Sequence, residues 1–334
     1  MQVVVYGAGA VGSVLGGMLS VHHHDVLLVA RKPHADAVNT NGLRLKSATG
    51  EYLAQTRALA SLSRGDVSTG ACILLTVKSY DIAAAVDELS GIVPVDTPVV
   101  CFQNGMVSEK VAAAKFAHVY GGVCRMTCSM VQPGHASFRA PGRVVVGAWP
   151  RGSDNLSRAL ALAFREAAFD AASSRTIESD LWLKLALNTQ TVVHAVVDAR
   201  DHDSNEFQSL NVSLLEETRR VYKAAKVRAK SCDGRDPSIE EMVAELRRPR
   251  ARRSEHGVKV HNSLWQDLYL KRPRIESEYI HGPIIELGAA HGVATPYNAA
   301  MLQVARDLHA AGGGPETLRL ADLYAAVERQ PGGN

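Results

Sequence analysis

The chain has 334 residues, 46% of them hydrophobic and 21% charged, with 37 basic and 34 acidic side chains giving a net charge of +3. That length suits two domains rather than one core, and so mild a positive surplus argues against a nucleic-acid binder. Five cysteines without a paired framework suggest reduced thiols, and no apolar run reaches the ~20 residues that span a bilayer. With no basic, apolar leader at Met1, the expectation is a cytoplasmic protein.

Val3-Val4-Val5-Tyr6 is a short β-branched run that ends on glycine, the pattern of a buried parallel strand. A helical pattern over 10–20 and a strand at Val26-Leu27-Leu28-Val29 follow. Buried-strand signals recur at 72–77 and 98–102, with helical periodicity over 81–92 between them. This alternation predicts an α/β fold with a doubly wound parallel sheet, the Rossmann arrangement. Further strands are expected at 121–131 and 143–146, with turns at Pro133-Gly134 and Pro141-Gly142.

Beyond about residue 176 the texture becomes helical. Periodic stretches lie at 179–197, 206–230, 238–246, 258–270, 276–290 and 298–311, so an all-α second domain is expected. The division predicted is 1–176 and 177–334, with residues 330–334 as a frayed tail.

Gly7-Ala8-Gly9-Ala10-Val11-Gly12 leaves the first strand and opens the first helix, the context in which G-x-G-x-x-G binds a dinucleotide. Gly7 permits the tight turn, Gly9 lets the backbone approach a pyrophosphate, and Gly12 lets helix and strand pack closely. The helix N-terminus supplies N–H donors and partial positive charge. The second strand ends Val29-Ala30-Arg31-Lys32, with no acid to accept from a ribose 2′-hydroxyl. Cations there favour a 2′-phosphate, so the expected cofactor is NADPH/NADP+.

His22-His23-His24 reads as a solvated turn and Cys124 with Cys128 as buried residues, so no metal site is expected. Arg247-Arg248-Pro249-Arg250-Ala251-Arg252-Arg253 reads as a solvated basic loop.

These motifs occur together in one family. Gly7–Gly12, Arg31, Thr76-Val77-Lys78, Gln103-Asn104-Gly105, Leu183-Lys184-Leu185-Ala186-Leu187-Asn188, Ser263-Leu264-Trp265-Gln266-Asp267 and Glu276 stand in the order seen in ketopantoate reductases, and the resemblance covers nearly the whole chain. It implies a Rossmann domain followed by a helical domain similar to that of 6-phosphogluconate dehydrogenase, with substrate between the two. It also implies NADPH-dependent reduction of 2-dehydropantoate to pantoate, a step of pantothenate biosynthesis. Alternatives are a reductase of another branched 2-oxo acid and a non-catalytic NADPH-sensing protein. By the same resemblance, Arg31, Lys78 and Asn104 contact cofactor and Lys184 is the general acid. Asn104, Asn188 and Ser263 contact substrate, and Glu276 is a second polar group at the reacting carbon. The implied partner is a small 2-oxo acid, with no nucleic acid and no membrane; a homodimer through the helical domain is left open.

The residue types agree with that chemistry. A developing alkoxide is stabilised and protonated by an ammonium. Lys184 stands among Leu181, Leu183, Leu185 and Leu187, where desolvation favours the neutral amine, and Asn188 follows one helical turn later. The sequence departs from the family at Val192, where an asparagine is usual, and in a stretch before Glu276 that is one residue longer. It departs again at Ile275-Glu276-Ser277-Glu278, which leaves Glu278 as a rival acid. On an unbroken helix Val192 would continue the Lys184–Asn188 face and line the substrate pocket with an apolar wall.

Overall fold

The computed structural model describes residues 1–48, 50–248 and 261–333. Its contacts divide the chain into two compact units, Met1–Leu181 and the described residues from 182 onward.

The first unit contains β1 (Val3–Tyr6), α1 (Ala10–Val21), β2 (Val26–Val29), α2 (Lys32–Asn41), β3 (Leu43–Ser47), β4 (Gly50–Ala54), β5 (Arg57–Leu59) and β6 (Cys72–Leu75). These are followed by α3 (Ile82–Ser90), β7 (Val99–Cys101), α4 (Ser108–Ala113), β8 (Val119–Arg125), β9 (Cys128–Gln132), β10 (His135–Phe138), β11 (Arg143–Ala148), α5 (Asn155–Glu166) and β12 (Asp170–Ser173). The main sheet runs β12-β11-β8-β7-β6-β1-β2-β5. Its pairs are parallel except β11 against β8. β1, β2 and β6 are buried at every residue, because helices cover both faces of the sheet and require apolar side chains on each. One face packs Val14, Leu15 and Met18 of α1 with Phe164 of α5, and the other packs Val86 and Leu89 of α3.

A second, four-stranded sheet runs β4-β3-β10-β9. Its strongest sequence signal was the alternation Leu43-Arg44-Leu45-Lys46-Ser47, which is buried, exposed, buried, exposed, buried. The single strand expected over 121–131 is two, β8 and β9, which turn between sheets at Met126 and Thr127. Helix α1 lies between the sheets. A Cβ on Gly16 would stand 2.7 Å from Leu28 and 2.9 Å from Val5 of the main sheet, and one on Gly17 would stand 2.8 Å from Leu45 and 2.9 Å from Leu43 of the second.

From residue 177 the chain is helical: α6 (Ile177–Asn188), α7 (Thr191–Val196), α8 (Asn205–Ala224), α9 (Ile239–Leu246), α10 (Ser263–Tyr269), α11 (Ser277–Ala290), α12 (Pro296–Ala310) and α13 (Leu320–Glu328). The continuous helix expected over 179–197 is interrupted. The Thr189 hydroxyl donates to the Ala186 carbonyl at 2.7 Å and the Thr191 hydroxyl to that of Asn188, replacing backbone bonds of the last turn. α7 then turns Val192, Val193 and Val196 into a core with Phe207, Leu214, Met301 and Leu323. α13 was not anticipated, although Leu320, Leu323, Ala326 and Val327 carry its buried stripe. Of the basic run at 247–253, only Arg247 and Arg248 lie among the described residues; they pair with Glu216 and Glu245. No described helix is long and apolar enough to cross a membrane.

The second unit also holds a buried polar chain. Glu217 of α8 accepts the Tyr297 and Asn298 N–H groups at the start of α12, at 3.0 and 2.8 Å, and the Asn298 side-chain amide at 2.8 Å. This fixes the Asn298 side-chain oxygen as the acceptor for His281 Nδ1, 2.8 Å away, so neutral His281 carries its proton on Nδ1. His281 is wholly buried, and desolvation holds its pKa down to about 4.

An unfolded histidine titrates near 6.5. The unfolded chain therefore takes up the His281 proton first, and the stability present above that pH is lost as pH falls towards 4, by on the order of 3 kcal/mol. Glu217 works in the opposite sense, since burial raises its carboxyl and the folded chain protonates first. His281→Asn keeps a donor for Asn298 and removes only the first effect. Urea midpoints of the variant should fall distinctly less than the parent's between pH 7 and pH 4.5. Identical pH dependence in the two would refute the assignment to His281.

Candidate active site

The glycine turn is shaped from behind by the loop that follows β6. Gly7 has φ +94°, and a Cβ on it would stand 2.6 Å from the Val77 nitrogen. Thr76 closes the contact by donating its hydroxyl to the Gly7 carbonyl at 2.9 Å. A Cβ on Gly12 would stand 2.4 Å from that hydroxyl oxygen. Gly9 differs, because a Cβ there meets nothing nearer than the Gly7 carbonyl at 3.8 Å. The protein's own packing therefore requires Gly7 and Gly12, while Gly9 keeps clear the space in front of α1. Gly9 caps α1 without a side-chain bond, and the first turn holds no acid. The N–H groups of Ala10, Val11 and Gly12 are the donors that helix geometry leaves without intrahelical partners. A pyrophosphate fits this cradle.

Arg31 stands at the N-cap of α2, exposed and in no ion pair among the described residues. Its neighbour Lys32 is engaged with Asp36 at 2.9 Å along the helix surface. Arg31 is thus the cation available beyond β2.

Lys78 and Asn104 follow the C-terminal ends of β6 and β7, where doubly wound sheets bind ligands. Gln103 ties the two loops together, its amide donating to the Leu75 carbonyl at 2.9 Å and the Val77 carbonyl at 3.2 Å. Ser79 adds a bond from its hydroxyl to the Asn104 carbonyl at 2.9 Å. Lys78 and Asn104 are themselves half-buried, and Gly105 takes φ +94° directly after Asn104.

The second unit carries the remaining residues. Lys184 is 7% exposed, with Leu183, Leu185 and Ala186 buried around it on α6. Asn188 is the last residue of that helix. Asn262 brings α10 to the break that follows: its amide donates to the Thr191 carbonyl at 3.1 Å and its oxygen accepts the Trp265 N–H at 2.9 Å. Ser263, the first residue of α10, is set there beside it. The longer stretch before Glu276 is folded back by Arg272, which bonds wholly buried Asp267 at 3.0 Å.

Glu276 and Glu278 are separated by their surroundings. Glu276 is 5% exposed at the N-cap of α11 and makes no capping bond with its side chain. Glu278 is exposed and held by Arg306 through two contacts of 2.6 Å. Val192 does not line this region. The interruption after Asn188 rotates it off the Lys184 face and into the core, with no exposed surface. The expectation of an apolar pocket wall at that position is corrected.

Two family models match the chain, ketopantoate reductase PanE/ApbA over residues 3–151 and its C-terminal counterpart over 176–309. The chain belongs to the ketopantoate reductase family, and with it to the oxidoreductases. The 2-dehydropantoate 2-reductase of Pyrococcus horikoshii is 25% identical over 94% of this chain and 99% of its own. The solved 2-dehydropantoate 2-reductase of Methylococcus capsulatus is 25% identical, with a TM-score of 0.72 over 93% of this chain and 98% of its own. A D-mandelate dehydrogenase solved with NADH and anilino(oxo)acetate shares the fold, at 22% identity and a TM-score of 0.75 over 93% of this chain and 99% of that one.

The family motifs name Lys78, Asn104, Lys184, Asn188, Ser263 and Glu276, but not all of the side chains that hold their loops and helices in place. Gln103 was legible only as part of Gln103-Asn104-Gly105. Asn262 had a signal in its position three residues before Trp265, the spacing of an N-cap. Arg272 had none, since its partner is set by the fold.

The two glycine classes predict different failures. Gly12→Ala should lose roughly 1–3 kcal/mol of stability through overpacking against Thr76 and Val5. Gly9→Ala should stay within about 1 kcal/mol of the parent in stability, yet weaken dinucleotide binding at least about tenfold. Denaturation midpoints and cofactor titrations on both variants test this. Parental cofactor affinity in a folded Gly9→Ala would refute the reading of the cradle.

Proposed function

We propose that this protein reduces 2-dehydropantoate to pantoate with NADPH, and that Lys184 is the proton donor. The observation that carries the reading is the burial of Lys184 on α6 in a member of this family. Lysine side chains are mostly exposed, so one kept 7% exposed in a reductase family is the first candidate for the proton donor. The glycine turn and the uncapped start of α1 would hold the dinucleotide phosphates, and Arg31 a 2′-phosphate. A reduced nicotinamide bound there supplies a hydride to the 2-oxo carbon.

The chain's own side chains do the rest. As negative charge develops on the substrate oxygen, the Lys184 ammonium stabilises it and gives up a proton to it. In this reading Asn188 and Ser263 hydrogen-bond the substrate, and buried Glu276 orients it. Asn104 would contact both cofactor and substrate. A branched 2-oxo acid related to ketopantoate is the second reading, favoured by the stretch before Glu276, which departs from the family in length. A sensor without turnover has no need of a proton donor.

Following NADPH absorbance with ketopantoate and other branched 2-oxo acids tests the reading. Lys184→Ala should lower kcat by about 10²–10⁴ with NADPH affinity close to the parent's. Glu276→Gln should reduce kcat/KM markedly, while Glu278→Gln stays within about twofold because it disrupts only an exposed pair. Arg31→Ala should weaken NADPH about ten- to hundredfold and leave NADH nearly unchanged. An unchanged kcat in Lys184→Ala, with chemistry rate-limiting, would remove it from the mechanism.

A further inference from the structure

The start of α2, which carries Arg31, is bolted to the glycine turn by one buried histidine. His34 is 4% exposed. Its Nδ1 accepts the Gly134 N–H from the β9–β10 turn at 2.9 Å. A backbone N–H can only donate, so the proton of the neutral ring is on Nε2, which lies 3.1 Å from the hydroxyl oxygen of fully buried Ser13. Ser13 then donates its own proton, to the Ala8 carbonyl at 3.2 Å, with Met130 Sδ at 3.8 Å. The direction of this chain is therefore fixed from Gly134 through His34 and Ser13 to the peptide between Ala8 and Gly9.

That peptide is inside the phosphate cradle, and its N–H is already bonded to the Gly7 carbonyl at 2.6 Å. At the other end, the His34 N–H donates to the Arg31 carbonyl at 2.9 Å, so the same residue closes the first turn of α2 onto Arg31. Burial, and then the Arg31 charge, keep His34 below the usual histidine range, in the neutral state that this geometry needs.

We propose that His34 is a positioning residue that fixes Arg31 relative to the glycine turn, and is thereby a determinant of the preference for NADPH over NADH. The proposal rests on the reading of Arg31 as the 2′-phosphate contact. A 2′-phosphate lies at a set distance from the pyrophosphate of the same molecule, so a cation reads it only if the two protein segments keep their spacing. His34 supplies that spacing through its side chain without touching the ligand. A histidine that only filled the core would affect both dinucleotides alike.

The test is equilibrium binding of NADPH and NADH to His34→Ala, Ser13→Ala, the double variant and, in parallel, Arg31→Ala, with thermal midpoints measured for each. His34→Ala should weaken NADPH about tenfold, the upper end of one buried hydrogen bond, and NADH less than about threefold. Ser13→Ala, a smaller change at the other end of the same bond, should reproduce most of this, and the double variant should lose little more than His34→Ala alone. Equal weakening of both dinucleotides, or losses that multiply in the double variant, would overturn the proposal. Should Arg31→Ala leave the preference intact, the reading of Arg31 falls, whereas a preference lost in Arg31→Ala but kept in His34→Ala and Ser13→Ala sinks the His34 proposal alone. A wild-type chain with no preference between the dinucleotides would sink both.

Discussion

The wedging of α1 between two sheets is the constraint on which the cofactor half of the molecule depends. Gly16 and Gly17 allow the helix to touch Val5 and Leu28 on one side and Leu43 and Leu45 on the other, so it can neither tilt nor slide. Its N-terminus is aimed by that packing, and the turn before it is pressed onto the Thr76–Val77 backbone. An anion site made of backbone N–H groups has no side chains with which to correct its own position. It has to be built on a rigid element, and here the second sheet supplies half of the rigidity.

The helical unit solves a related problem by interruption. A straight helix would carry the Lys184 face on through residue 192, whereas threonine hydroxyls end α6 at Asn188 and restart the chain as α7. Asn262 then uses the carbonyl of Thr191 as an anchor for α10. The break satisfies two demands at once, sending Val192, Val193 and Val196 into the core and setting a polar helix start beside the end of α6. Glu217, Asn298 and His281 fasten α8, α11 and α12 together deeper in the same unit, by hydrogen bonds that leave the Asn298 amide only one orientation.

Much of this was legible in the sequence where local pattern and burial agree. β1, β2 and β6 announced themselves because a strand covered on both faces must be apolar throughout, and the glycine turn because it sits between a strand and a helix. The second sheet was not read as such, since none of its strands β3, β4, β9 and β10 is longer than five residues. The break after Asn188 escaped because Thr189, Gln190 and Thr191 are acceptable helix residues; it is the Thr189 and Thr191 hydroxyls, bonded to carbonyls three residues back, that end the helix. Glu276 and Glu278 could not be ranked from spacing, and only burial of the first and the Arg306 pairing of the second separate them. His34 has no motif at all in this chain, and its importance comes from contacts to residues 21 positions before it and 100 after it.

The proposed reaction is direct hydride transfer to the carbonyl carbon of a 2-oxo acid, with the proton supplied by the protein. NADPH carrying deuterium in the transferred position at C4, incubated with ketopantoate and this protein, tests it in one step when the product is examined by mass spectrometry. The predicted product is pantoate with one deuterium on C2 and an ordinary, exchangeable hydroxyl proton. Pantoate without deuterium would contradict direct transfer, and the absence of any 2-hydroxy acid product across branched 2-oxo acids would contradict the enzyme reading itself.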